Sequence, residues 1–184
     1  MSFGFTEEQL DIRAAITETQ FRKHEQILFF AAAANEGANE PEMYPARDDR
    51  VFAIRATDYQ GHWWRSNPPV NSDQHSSFMT LGQDLPSVSR NEDVTGTSYA
   101  TPIAAGFAAM ILADARRLLG ASSSESDKRL IDRLSRPDGM RQTLGKLSVA
   151  NMVRQCRYLR PMEYIGKVED ERVAILRYTN QFRS

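Results

Sequence analysis

The sequence predicts an α/β fold, a parallel β-sheet flanked by helices, and three stretches carry that prediction. Ile27 to Ala33 is an unbroken apolar run, too short for a helix and followed by the polar exit Asn35-Glu36-Gly37. It reads as a strand buried on both faces, the kind found in parallel sheets. Glu7 to Lys23 places Ile12, Ala15 and Ile16 at helical spacing, behind the short apolar strand stub Met1 to Phe5. Strand, helix and buried strand in that order make a right-handed crossover unit. Third, Ser98 to Leu119 is rich in small residues and shows no polar face until Asp114, so it reads as a long buried helix.

Taken in order, Thr6 and Gln9 have the spacing of a capping box at the start of the first helix. Pro102 near the first turn of the long helix removes a donor that has no intrahelical partner there. Arg116, Arg117 and Gly120 suit its C-terminus. Ser122-Ser123-Ser124 is a linker. Glu125 to Leu134 is an amphipathic surface helix, ended by Pro137-Asp138-Gly139. Val149 to Leu159 is expected to be a further helix with a basic face of Arg154, Arg157 and Arg160. Val168 to Tyr178 alternates weakly and is expected to form a terminal strand. Trp63 and Trp64, in the Pro- and Asn-rich loop from Gly61 to Ser77, are expected to pack over the sheet edge.

The chain of 184 residues suits a single catalytic-size domain, and 41% apolar with 26% charged residues makes it globular. A formal net charge of -1 argues against nucleic acid as a partner. No unbroken apolar run of membrane-spanning length is evident, so no membrane partner is expected. The N-terminus lacks the basic start and apolar stretch of a secretory signal, and the single cysteine, Cys156, has no internal partner. Both point to an intracellular, cytoplasmic setting and to Cys156 as a structural thiol. No Asp-x-Asp-x-Asp run or metal-ligand spacing is present, and no cofactor is expected.

Ser98 follows a Gly-Thr turn at the mouth of the small-residue helix. Backbone N–H groups and the helix dipole there favour developing negative charge, the setting of a nucleophile beside an oxyanion hole. A serine at a helix start is also an ordinary N-cap. The wider pattern is narrower than a cap: Gly96, Thr97, Ser98, Ala100, Pro102, Ala105 and Gly106 together resemble the serine motif of the subtilisin-like serine peptidases. Thr101 and Ile103 stand where that family usually has other residues. The rival Gly-x-Ser-x-Gly elbow needs a buried strand directly before the serine and a second glycine where Ala100 stands, so it does not fit.

The resemblance extends in order along residues 1–145. Phe29 to Gly37 looks like the strand and loop that supply the oxyanion-hole asparagine, here Asn35. Ser2, Phe3 and Gly4 look like one wall of the substrate cleft, and Ala33 and Ala34 like another part of it. Tyr44-Pro45-Ala46, the stretch Val51 to Thr57, and Ser77 to Gly82 look like the following loop, a strand and the segment before the serine loop. Ala34 and Arg55 stand where the family commonly has glycines lining the pocket, which implies a smaller or more charged cleft. The resemblance implies a polypeptide substrate and hydrolysis through an acyl-enzyme on Ser98.

It also implies an aspartate and a histidine upstream of the cleft-wall strand, and neither motif is found. Three histidines are present, His24, His62 and His75. None has the family's His-Gly-Thr setting, although the loop holding His62 and His75 leaves a replacement base as an alternative. The expectation is therefore the C-terminal half of a subtilisin-like domain over 1–145 with an extension over 146–184. Such a chain is inactive alone and needs an upstream segment or another chain to supply aspartate and histidine. The alternative is a non-catalytic remnant or interaction module.

Overall fold

The computed structural model describes residues 1–22, 26–37, 40–70, 77–88, 91–121, 124–151 and 156–179. His24, His75, Arg154 and the linker residues Ser122 and Ser123 lie outside them. A five-stranded sheet runs in the order β1-β2-β3-β5-β4. The strands are β1 (Phe29–Ala32), β2 (Val51–Thr57), β3 (Ser77–Leu81), β4 (Ser148–Asn151) and β5 (Cys156–Leu159). β1, β2, β3 and β5 are parallel, and β4 closes the far edge antiparallel to β5. Beyond β1 the chain start adds a short segment: Ala32 N donates to Met1 O at 2.9 Å.

β2 is buried along its whole length because both faces are covered. Side chains alternate across a strand, so Phe52, Ile54 and Ala56 face one layer while Val51 and Ala53 face the other. The first layer is built on α2 (Thr97–Leu119), whose Ala100, Ala104, Phe107 and Ile111 pack on Phe30, Phe52, Ile54 and Phe78. Phe30 and Phe52 stack with centroids 4.6 Å apart. Truncating such a ring to alanine costs about 3–5 kcal/mol. The second layer is thinner: Ile16 of α1 (Leu10–Arg22) covers Ala31, Val51 and Ala53.

Small residues let α2 lie close to the sheet. At Gly82, just after β3, a Cβ would stand 2.9 Å from the Cβ atoms of Ala56 and Ala100 and from Gly96 O. Only glycine permits that approach. Asp114, buried on α2, accepts from Arg172 at 2.7 Å, and Asp127 of α3 (Glu125–Leu134) accepts from Arg177 at 3.1 and 2.8 Å. Both arginines belong to α6 (Glu169–Thr179).

Several expectations are corrected. α1 begins at Leu10 rather than Glu7. Gln9 O accepts from Arg13 N, and the Gln9 side chain turns back to Glu7 O, so the Thr6 capping box does not form. Pro137 opens α4 (Pro137–Lys146) instead of ending a run, since proline suits the first helical position. Gly120 caps α2 in right-handed rather than left-handed conformation, at φ -66. Where a helix was expected over 149–159, the described residues form the antiparallel strands β4 and β5. Pairing of β5 with β3 buries Cys156 and Leu159 and overrides the local pattern.

Arg157, assigned to a solvated helix face, instead donates to Gly145 O at the end of α4, at 3.1 and 2.6 Å. Where a strand was expected over 168–178, α6 (Glu169–Thr179) forms instead, with Leu176 in the core. A short α5 (Met162–Ile165) carries the buried Tyr164 between them. β4 and β5 therefore extend the same sheet, and α5 and α6 pack on the same core. α2 is also, by length and composition alone, apolar enough to cross a membrane, a test that the core helix of a globular domain passes too; its sheet-facing side is buried. Cys156 is enclosed as expected of a structural thiol: burial pushes it up to about 11, and its Sγ lies 3.3 Å from Ser77 O.

Candidate active site

Ligands of open parallel sheets bind beyond the carboxyl ends of the strands, and there β1 meets the start of α2. β1 runs out through Ala33 and Ala34 to Asn35. α2 begins at Thr97 after Gly96, whose φ of 154 lies where glycine is favoured. Asn35 Oδ1 accepts from Thr97 N at 2.9 Å and from Thr97 Oγ1 at 3.0 Å. Because a backbone N–H can only donate, this fixes the carboxamide oxygen on the helix and turns the NH2 group away from Thr97. Thr97 Oγ1 also lies 3.2 Å from Ala34 O, so one hydroxyl ties the strand exit to the helix start.

Ser98 is the next residue. Its N–H belongs to the first turn, where helix donors lack intrahelical carbonyls. Its Oγ donates to Ser2 O at 3.3 Å, and Ser2 Oγ donates to Ser98 O at 3.1 Å, so the chain start and the helix start clasp each other. Between them opens a recess of about 240 Å³, lined by Ser2, Phe3, Gly4, Ala32, Ala34, Asn35, Glu36, Met43, Thr97 and Ser98. Gly4 is needed for the wall to close: a Cβ there would come within 2.7 Å of Met43 Cβ. Ala34 holds φ at 150, a region that residues with a Cβ seldom adopt.

Of the residues singled out from sequence, the structure brings Ser2, Phe3, Gly4, Ala34, Asn35 and Ser98 around one recess. Ala33 is wholly buried beneath it and does not line it. Arg55, expected in the cleft, lies elsewhere. It points from β2 to the side opposite Ile54 and Ala56 and has no exposure. Its guanidinium donates to Pro68 O at 3.2 Å, Pro69 O at 2.8 Å and Ser77 Oγ at 3.1 Å, and pairs with buried Glu42 at 3.1 Å. The strand's two-residue period decides this, together with the carbonyl groups that satisfy a buried cation.

His62 does not line the recess either. Its Nδ1 lies 2.8 Å from Asp58 Oδ2 in the loop after β2, and its side chain is 71% exposed. Trp63 lies over the same loop's base, with Arg55 6.0 Å from its ring centroid. Sequence reasoning missed Glu36, Met43 and the tie made by Thr97. Glu36 is the one charged side chain lining the recess, and its Oε2 accepts from Asn35 N at 2.8 Å. Its position beside Asn35 was the available signal. Among the described residues, no group of three or more metal-ligating side chains is assembled.

A parallel sheet that delivers a carboxamide to the first turn of a serine-bearing helix is the framework of a serine-peptidase fold. The chain belongs to the subtilase family, whose model matches residues 1–144. It is similar to a subtilisin-like protease, het-Q2 of Podospora anserina, at 33% identity over 114 residues, 58% of this chain and 30% of that protein. Among solved structures, a serine-to-alanine variant of the protease domain of PatA matches 99% of this chain with a TM-score of 0.67 at 20% identity. The prenylagaramide maturation protease PagA matches 83% of this chain with a TM-score of 0.59 at 22% identity. The chain spans 60% and 50% of those two structures and 30% of the fungal relative.

Proposed function

We propose that the chain is the nucleophile-bearing part of a serine endopeptidase, with Ser98 as nucleophile and Asn35 as oxyanion donor. The observation that carries this reading is the Asn35–Thr97 tie, which holds the carboxamide oxygen on the residue before Ser98 and leaves the NH2 group free of that contact. Ser98 Oγ attacks a peptide carbonyl, forming the Oγ–C bond as the carbonyl π electrons move to oxygen. The Asn35 NH2 and the Ser98 N–H bind that oxyanion. The Oγ proton passes through a general base to the leaving amine as the C–N bond breaks, and water then hydrolyses the acyl-enzyme. The recess walled by Ser2, Phe3 and Gly4 on one side and Ala34 on the other takes the substrate segment.

The base and its orienting carboxylate come from an upstream segment or another chain, so this chain alone is inactive. Losing triad members leaves only on the order of 10³–10⁴-fold catalysis over water, a magnitude drawn from subtilisin itself. The test is hydrolysis of fluorescein-labelled casein by three samples: the chain alone, the chain joined to a subtilase segment carrying aspartate and histidine, and the joined form with Ser98→Ala. Activity confined to the second sample supports the reading. Activity in the first, or retained in the third, overturns it.

A further inference from the structure

Arg55 and Glu42 form an ion pair in the interior, where each side chain is almost wholly buried. Such a pair is weak grounds for stability, because apolar side chains of similar volume often hold a fold as well. What an apolar filler cannot do is hold several acceptors at fixed positions, and a planar guanidinium fork does this. From β2, Arg55 reaches two separate segments. Its Nη1 lies 3.1 Å from Glu42 Oε1, and its Nε and Nη2 donate to Pro68 O at 3.2 Å and Pro69 O at 2.8 Å. Neither proline has an N–H, so carbonyls are all that their backbone offers.

Both segments continue into the walls of the recess. Met43, next to Glu42, donates its N–H to Ala33 O at 2.9 Å and lines the recess. Its side chain abuts Gly4, where a Cβ would come within 2.9 Å of Met43 Sδ. Ser66, two residues before Pro68, accepts through its carbonyl from Gly37 N at 2.9 Å. Gly37 directly follows Glu36, which lines the recess from the strand exit. One buried cation thus stands behind two wall residues, while the Asn35–Thr97 tie is made without it.

We infer that Arg55 is a positioning residue of the recess: by holding Glu42 and the carbonyls of Pro68 and Pro69 together, it fixes Met43 and Glu36 as walls fitted to the substrate segment. The inference rests on the proposed function for what enters the recess, and adds what sets its shape. Arg55 touches no reacting atom. Because it acts on the walls and leaves Asn35 and Ser98 in place, its loss belongs in KM rather than in kcat.

The test compares the parent with Arg55→Met/Glu42→Leu, which strands neither charge of the pair, and with Arg55→Lys, which keeps the charge but not the fork. In the full chain, amide exchange followed by NMR is expected to quicken at least about tenfold at Gly37 and Met43 in both variants, with the Thr97 N–H protected as in the parent. In the chain joined to a subtilase segment carrying aspartate and histidine, the substrate is fluorescein-labelled casein. There KM is expected to rise at least about tenfold, while kcat per fluorophosphonate-reactive site falls less than about threefold. A merely structural role would shrink the reactive fraction and leave KM alone, and that result overturns the inference. So does unchanged exchange at Gly37 and Met43, or failure of both variants to fold. A joined parent that cleaves no casein, with exchange responding as expected, defeats the proposed function and leaves the positioning of the walls standing. An active joined parent whose KM ignores both variants does the reverse.

Discussion

The carboxamide oxygen of Asn35 is held by two groups of Thr97, the backbone N–H at 2.9 Å and the hydroxyl at 3.0 Å. One residue of the helix therefore orients the Asn35 carboxamide, and the next is Ser98, the nucleophile proposed above. In the completed enzyme, Asn35→Ala is expected to lower kcat by about 10²–10³, a range taken from subtilisin, with little change in KM. Thr97→Val keeps the N–H bond but not the hydroxyl, and is expected to cost roughly tenfold through misplacement. Because both act through one carboxamide, the double variant should fall no further than Asn35→Ala. Steady-state kinetics on the three variants checks this, and additive losses would contradict it.

Ala34 bears on stability at the same site. Its φ of 150 suits glycine, and such strain costs of order 1–3 kcal/mol. Replacing alanine by glycine elsewhere costs about 0.5–1 kcal/mol in chain entropy. Ala34→Gly is therefore expected to stabilise the chain by about 1 kcal/mol, read as a higher urea midpoint with unchanged slope. A lower midpoint would show that the strand exit carries no strain.

Asp48 supplies a pH dependence whose sign follows from its surroundings. Burial raises its pKa, but the Arg50 bonds and charge more than offset this and leave it below the ordinary 3.8. Asp48 Oδ1 accepts from Arg50 N at 3.0 Å and Nε at 2.8 Å, and Oδ2 accepts from Arg50 Nη2 at 2.6 Å. A depressed carboxylate contributes stability that is complete above 3.8 and is lost as pH falls through the lower folded value. Asp48→Asn is expected to cost about 1 kcal/mol at neutral pH. That gap should close in acid, measured by urea unfolding at both pH values. A gap that widens in acid would reverse the assignment.

Much of this arrangement was legible in the sequence because local chemistry wrote it there. The apolar run before Asn35 could be little but a buried strand, and Gly96 through Gly106 marked the helix that carries Ser98. What failed lay where distant pairing decides the outcome. Cys156 to Leu159 joins the sheet only because β3 offers a free edge. Arg157 looks like a solvated charge until Gly145 O is placed beside it. Arg55 was assigned to the cleft by resemblance, but the alternation of β2 and the carbonyls of Pro68 and Pro69 take it to the other side of the sheet. Thr97 stood in the recognised motif, yet its tie to Asn35 joins residues 62 positions apart and has no local signature.

The central claim is that Ser98 becomes a nucleophile when the rest of the domain is supplied. It is tested most directly by treating the completed protein with a fluorophosphonate and locating the adduct by peptide mass spectrometry. The account predicts one phosphonylated site, Ser98, absent in Ser98→Ala and absent in this chain alone. A folded, completed protein that stays unlabelled at Ser98 while a known subtilisin-like protease reacts in parallel would contradict it.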